Sequence, residues 1–426
     1  AYEVAYQYQN IWAKMVNAET GEVSVHNENF FRDLSNYALA WSLEEDGVET
    51  QNGTIADLDV PAQQTKNFTI PYDKSKIKGK EVFLNIDFRL KEAEPLLTAG
   101  QVMAYAQLPV VTKQACCGDC SKMLAQGHGK KKMKLAAKKD NVVAVTTPNL
   151  TFKIDRSTGL ISEYAYNGKS LLGEGGTLKP NFWRAPTDND MGAGLQKKFK
   201  AWKNPQMNLK NIEVKKDKKT NSVTILTSFD MPEVQGQMDI TYVVFANTGA
   251  VKVTEDFKAT EGAKVSDMFR FGMLMQMPYT MEKSNYYGRG PIENYSDRKD
   301  CMRIGVYTDD ADNQYFPYIR PQESGTKSDI RWWKQTDATG LGLQVKSCTP
   351  FYASAIHFDT EELDDGDDKE QRHSFDLKKS KFTNLFLDSA HMGVGGENSW
   401  GAWPLEKYRV HYGNKTFTFT LIPQGK

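Results

Sequence analysis

Short runs that alternate apolar and polar residues, cut by turn formers, recur along most of this chain. Examples are Ile11-Trp12-Ala13-Lys14-Met15-Val16, Ala38-Leu39-Ala40-Trp41-Ser42-Leu43, Val82-Phe83-Leu84-Asn85-Ile86-Asp87-Phe88, Leu150-Thr151-Phe152-Lys153-Ile154 and Phe417-Thr418-Phe419-Thr420-Leu421. A period of two puts one set of side chains on one face of a strand, so each run predicts a half-buried strand. Helical periodicity is scarce, and the segment from Gly194 to Trp202 is the best candidate for a short helix. The fold class this implies is all-β.

At 426 residues the chain is too long for one hydrophobic core. The alternation breaks down between residues 111 and 140, and this divides the chain. Residues 1–110, with turn signals every ~8–12 residues, predict a small immunoglobulin-like sandwich. Residues 141–426 predict a larger antiparallel β-sandwich, with further strands at Val142–Val145, Ser222–Leu226 and Ile240–Phe245. The stretch between them holds Cys116, Cys117, Cys120, His128 and a lysine run, and reads as a charged linker. Cys117-x-x-Cys120 with His128 leaves a zinc site conceivable, but a second ligand pair is missing.

The 54 basic and 54 acidic side chains cancel, which argues against nucleic acid or an anionic membrane as the main partner. No apolar run is long enough to span a bilayer. The first residues lack a targeting pattern and an initiating Met, so the chain is expected to begin inside something longer, and its compartment stays open.

Three loops carry the chemistry. The segment His391-Met-Gly393-Val-Gly395-Gly396-Glu397-Asn398-Ser-Trp400-Gly-Ala-Trp403 sets a carboxylate and an amide beside an indole. An indole face covers the C–H side of a pyranose while polar groups bond its hydroxyls. The alternative is a tight turn whose tryptophans fill the core. The second loop, Asn181 to Gly194, places Arg184 ahead of Asp188-Asn189-Asp190, a pattern that orders a loop by charge-assisted bonds or holds a ligand. It lacks the spacing of a calcium loop. The third, Tyr286 to Arg298, is rich in Gly, Pro and charge, and Glu293, Asp297 and its two arginines read as an ion-pair cluster. His391 reads as a structural histidine. No nucleophile elbow, zinc-helix motif, phosphate loop or dinucleotide fingerprint is present.

Three blocks, Arg184-Ala-Pro-Thr-Asp-Asn-Asp190, Gly288-Arg-Gly-Pro-Ile-Glu-Asn-Tyr-Ser-Asp-Arg298 and His391 to Trp400, resemble the C-terminal region of the bacterial β-galactosidases of glycoside hydrolase family 2. Tyr318-x-x-Pro321-Gln-Glu-Ser-Gly325 lies between the second and third in the family's order, and Tyr8-Gln-Asn-Ile11 and Phe30-Phe31-Arg-Asp-Leu-Ser-Asn-Tyr37 are similar to its penultimate domain. The resemblance implies an immunoglobulin-like domain followed by a galactose-mutarotase-like supersandwich. It also implies a catalytic (β/α)8 barrel as partner and a β-galactoside or related glycan as ligand.

The retaining mechanism needs two carboxylates about 5–5.5 Å apart, and in the family both belong to the barrel. No catalytic residue is therefore expected here, and Asn27-Glu28 is a chance match to the acid/base context. The family's Mg2+ and Na+ sites use barrel residues, so no metal or other cofactor is implied for this chain. The stacking role falls on Trp400, with Glu397 and Asn398 as polar support. Arg184, Asp188 and Asn189 would shape the face that meets the barrel. A chain separated from its barrel would expose apolar surface and could form homo-oligomers. A free-standing carbohydrate-binding module using Trp400 and Trp403, and the small subunit of a two-chain enzyme, are the alternatives.

Overall fold

The computed structural model describes residues 1–112, 124, 132–137, 141–398 and 401–425. The cysteine cluster, His128 and Trp400 lie outside the described residues. The chain divides into two compact units, residues 1–115 with 300–306, and residues 116–299 with 307–426.

The first unit is a sandwich of antiparallel sheets. After helix α1 (Tyr2–Gln7) come β1 (Ile11–Asn17), β2 (Glu22–Asn27), β3 (Tyr37–Glu45), β4 (Val48–Ile55), β5 (Thr65–Thr69), β6 (Glu81–Leu90) and β7 (Val102–Thr112). One sheet has the order β1-β2-β5 and the other β4-β3-β6-β7. Strand β3 buries every second residue, and its register pairs Leu39 with Phe88, Trp41 with Ile86 and Leu43 with Leu84. The alternation in the sequence thus becomes one continuous core that also takes in Val23 and Val25. Asn27 ends β2 buried, donating to the carbonyls of Arg32, Val60 and Pro61. It organises the turn that carries the exposed Phe30 and Phe31.

Residues 300–306 pack on this unit although they come late in the chain. The Tyr105 hydroxyl donates to the Cys301 carbonyl at 2.7 Å. Gln107 exchanges two bonds with the Ile304 backbone at 2.8 and 2.7 Å.

The second unit is also all-β. A five-stranded antiparallel sheet is formed by β8 (Lys134–Ala136), β9 (Val142–Thr146), β10 (Leu150–Asp155), β11 (Ile161–Tyr166) and β12 (Lys169–Ser170). Part of the stretch that composition marks as linker is therefore a strand. Met133, Leu135 and Ala137 alternate with their neighbours and pack on the core, a period of two hidden among lysines.

A twelve-stranded sheet follows: β13 (Leu178–Asn181), β14 (Asn208–Asp217), β15 (Ser222–Met231), β16 (Gly236–Phe245), β17 (Val251–Ala259), β18 (Arg270–Pro278), β19 (Lys283–Gly290), β20 (Arg303–Asp310), β21 (Lys327–Thr336), β22 (Gly342–Ile356), β23 (Phe382–His391) and β24 (Lys415–Gln424). Its main path runs β13-β18-β23-β22-β24-β17-β16-β15-β14. Phe152, Ile154 and Tyr164 of the smaller sheet share one core with Ile225, Ile240, Tyr242, Val253 and Phe419 of the larger. Among the described residues no helix is long and apolar enough to cross a membrane.

The expected helical segment contains α3 (Leu195–Lys198) and a 3-10 turn at Lys200–Trp202. The preceding Asp-Asn-Asp stretch, read from the sequence as a loop, is helix α2 (Asp188–Ala193). Thr187 and Asp190 close a capping box at its start, and Gly194 ends it in the left-handed region at φ 69°. At six residues the helix is too short to show periodicity.

Candidate functional site

The three chemistry-bearing loops meet in the second unit. Arg184 is fully buried and forms a bidentate pair with Asp190, at 3.0 Å from Nε and 2.8 Å from Nη2. Its remaining donors reach the Met392 carbonyl at 2.7 Å and the Gly393 carbonyl at 2.9 Å. Its guanidinium also lies over the Phe269 ring, 4.9 Å from the centroid. One side chain therefore ties the start of α2 to the Gly-rich loop. Asn189 adds a bond to the Val394 carbonyl at 2.9 Å.

The third loop grips the same backbone from the N–H side. Asp297 accepts from the Val394 amide at 3.1 Å and the Gly395 amide at 2.8 Å. The charge pattern of the sequence predicts an ion-pair role for Asp297; it serves backbone instead, because the turn Tyr295–Arg298 aims it at two adjacent N–H groups. Glu293 does pair with Arg298 at 2.6 Å, and it also takes the Tyr318 hydroxyl and, at 2.8 Å, the Gly325 amide. Arg289 pairs with Asp329 at 2.5 Å.

With Met392 N bonded to Phe269 O and Gly393 N to Tyr408 O, every backbone polar group from the Met392 amide to the Gly395 amide has a partner. Beyond this clamp, Glu397 and Asn398 are exposed. Glycine at 393 is required by close approach, since a Cβ there would stand 2.4 Å from Asp297 Oδ2. Trp403 is partly buried, packed edge-on against Phe199 at 5.6 Å and covered by Arg409 at 4.6 Å, so this indole is a packing group.

Asp188 does not meet Arg184. It is exposed and takes Arg320 at 3.1 Å and Gln322 at 3.1 Å, with Lys369 at 3.3 Å. Partial burial works against its charge, but Gln322, Arg320 and Lys369 outweigh it and hold its pKa below the usual value. Arg320 also pairs with Asp365, which Arg372 binds at 2.8 Å. The loop bearing Tyr315 and Ile319 is joined to residues 373–374 by His373 on the Ile319 carbonyl at 3.0 Å and by Tyr315 on Ser374 at 3.0 Å. Phe316, Ile319 and Phe375 remain exposed on these joined loops.

A second layer of charge lies beneath the Gly-rich loop, and the sequence reading missed it. Arg270 at the start of β18 holds Asp388 of β23 at 2.8 Å, with Glu323 at 3.5 Å on its other side. Burial outweighs the Arg270 pair and lifts the Asp388 carboxyl to about 7. Glu255 occupies a core position of β17, between Val253 and Phe257; burial and then the Asp388 charge push it well above the carboxylate range. Its place in an alternating strand was the available signal. His391 is buried, its Nδ1 against the Met392 carbonyl at 3.0 Å, and burial with the Arg270 and Arg184 charges holds it neutral. Among the described residues no group of three or more His, Cys, Asp or Glu is placed to hold a metal ion.

The family model for the β-galactosidase small chain matches residues 146–421, and that for β-galactosidase domain 4 matches residues 23–111. This chain belongs to the β-galactosidase small-chain family. The small-chain match takes in all three loops of the clamp. Similar proteins include the β-galactosidase of Priestia megaterium, 28% identical over 425 residues, covering 99% of this chain and 39% of that protein. The β-galactosidase of Lactobacillus delbrueckii subsp. bulgaricus is 27% identical, covering 91% of this chain and 36% of the relative. The chain thus spans less than two fifths of the length of these curated relatives, as a C-terminal portion of such proteins. Among solved structures, a galactose mutarotase related enzyme from Lactobacillus acidophilus is similar at 9% identity and TM-score 0.35, over 69% of this chain and 98% of that one.

Proposed function

We propose that this chain is the non-catalytic C-terminal portion of a retaining β-galactosidase that hydrolyses terminal β-D-galactosides. Residues 1–110, completed by 300–306, act as one domain and the rest of 141–426 as the other, to which the intervening stretch adds strand β8. In this reading Trp400, Glu397 and Asn398 meet the sugar at the mouth of a catalytic barrel, and Arg184, Asp188 and Asn189 shape the surface presented to that barrel. The observation that carries it is the backbone clamp on residues 392–395, which fixes the base of a loop whose tip is exposed and polar. Building a loop so firmly around buried charge fits a tip whose position matters.

The acids beside the loop support a binding role over a hydrolytic one. Asp190 is taken by Arg184, Asp297 by two amides and Glu293 by Arg298. A retaining site needs one carboxylate free to attack and one to carry a proton. The exposed Phe316, Ile319 and Phe375 support the presence of a protein partner.

The test is hydrolysis of a chromogenic β-galactoside by this chain alone, with Trp400→Ala made in the longer enzyme. The chain alone is expected to give no turnover, and Trp400→Ala to raise KM. Turnover that copurifies with the isolated chain would overturn the reading.

A further inference from the structure

We propose that Asp297 is a positioning residue for the sugar-facing loop: its carboxylate sets the direction in which the backbone leaves Val394–Gly395, and so where Glu397 and Asn398 stand. This rests on the reading of that loop given above.

The geometry separates Asp297 from the other clamps. Arg184 and Asn189 hold carbonyls, whereas Asp297 alone takes the two consecutive amides nearest the tip, one on each oxygen at 3.1 and 2.8 Å. A carboxylate bridging two successive N–H groups fixes the plane of both peptides, and the charge strengthens each bond.

The acid is itself immobilised. Tyr295 and Arg298 bond each other across its turn at 3.1 and 2.9 Å, and Arg298 is pinned by Glu293 and lies over the Tyr295 ring. Tyr295 packs on His391 at 5.4 Å, and Ser296 reaches the His391 carbonyl at 3.4 Å. Beneath the turn, Asn294 is fully buried, donating to the Arg289 and Ile292 carbonyls and accepting from the Ser328 amide. Residues 294–298 therefore form a rigid block against which the Gly-rich loop is shaped. Gly393 completes the fit, since any side chain there would displace the carboxylate.

Asp297→Asn keeps the shape but turns an amide donor toward a backbone donor. Gly393→Ala pushes on the same contact from the other side. In the 426-residue chain, amide hydrogen exchange at Val394 and Gly395 is expected to rise at least tenfold in either variant, while Leu385 and Leu387 in β23 stay protected and report an intact sandwich. The double variant should add little to the more severe single one, because both break one contact. In the longer enzyme Asp297→Asn should raise KM for a chromogenic β-galactoside several-fold and leave kcat within about twofold, the pattern of lost uniform binding.

Unchanged exchange at Val394 and Gly395 in both variants would overturn the proposal. So would faster exchange with unchanged KM in a background where Trp400→Ala raises KM, and this outcome spares the sugar-binding reading. If neither Asp297→Asn nor Trp400→Ala moves KM, the sugar-binding reading falls and the positioning role falls with it.

Discussion

The two units bury charge in opposite ways. In the first, the ion pairs sit at the rim, as in Arg32–Glu94 with side chains 42% and 23% exposed, and the core is apolar. In the second, whole pairs lie inside: Arg184–Asp190 at 0% and 2%, and Arg270–Asp388 at 1% and 0%. Removing two charges from water costs so much that a buried pair adds little net stability over an apolar one, whereas its geometry is highly directional. The first unit needs only to be a sandwich. The second has to hold loops from three parts of the chain in one arrangement, and these two buried pairs lie under or within those loops.

This contrast breaks most easily at Arg184. Arg184→Met should destabilise the second unit by about 3–5 kcal/mol, because Asp190 is left buried and uncompensated. Urea unfolding followed by fluorescence measures this, and a loss below about 1 kcal/mol would mean that the pair is not structural.

The pH dependence sharpens the same difference. Burial raises the folded-state pKa of Asp388 from its ordinary 3.8 to about 7. The folded state therefore holds a proton that the unfolded state releases, so its contribution is complete below about pH 4 and fades as pH rises through 7. Glu94 runs the other way: the hydrogen bond from Arg32 lowers it from 4.5 to about 2, so its contribution is present above 4.5 and is lost as pH falls toward 2. The stability of the protein relative to Asp388→Asn should fall between pH 4 and 7, and relative to Glu94→Gln it should rise between pH 2 and 4.5. Denaturant midpoints across both windows check the signs.

The smallest effect is expected at the rim. Arg32→Met should cost no more than about 1 kcal/mol, as exposed pairs do. A loss comparable to that of Arg184→Met would erase the distinction between the units.

The strands were legible because burial in a sandwich imposes a period of two, and segments such as Leu39–Leu43 and Phe417–Leu421 write it directly into the residues. Lys134–Ala136 was not, since its outward Lys134 and the lysines on either side gave the stretch the composition of a linker. Arg184 and Asn189 were visible as polar groups crowded into a loop. Their partners were not, because the Met392 carbonyl lies 208 residues from Arg184 in sequence and a backbone acceptor has no side-chain signature. The same holds for Asp297, whose ligands are two amides nearly a hundred residues away. Charge patterning suggested a salt bridge there because side-chain partners are all that a sequence displays.

The segment 300–306 has a practical consequence for protein engineering. Its backbone takes the side chains of Tyr105 and Gln107, and the Arg303 guanidinium reaches Asp87 at 2.6 Å. A polypeptide ending at Thr112 would keep every strand of the first sandwich and still lose the cover over β6 and β7. Exchange of this unit between relatives therefore has to be discontinuous, carrying a short piece from the far side of a second sequence break. The unit is built from two stretches of chain and has to be transplanted as two.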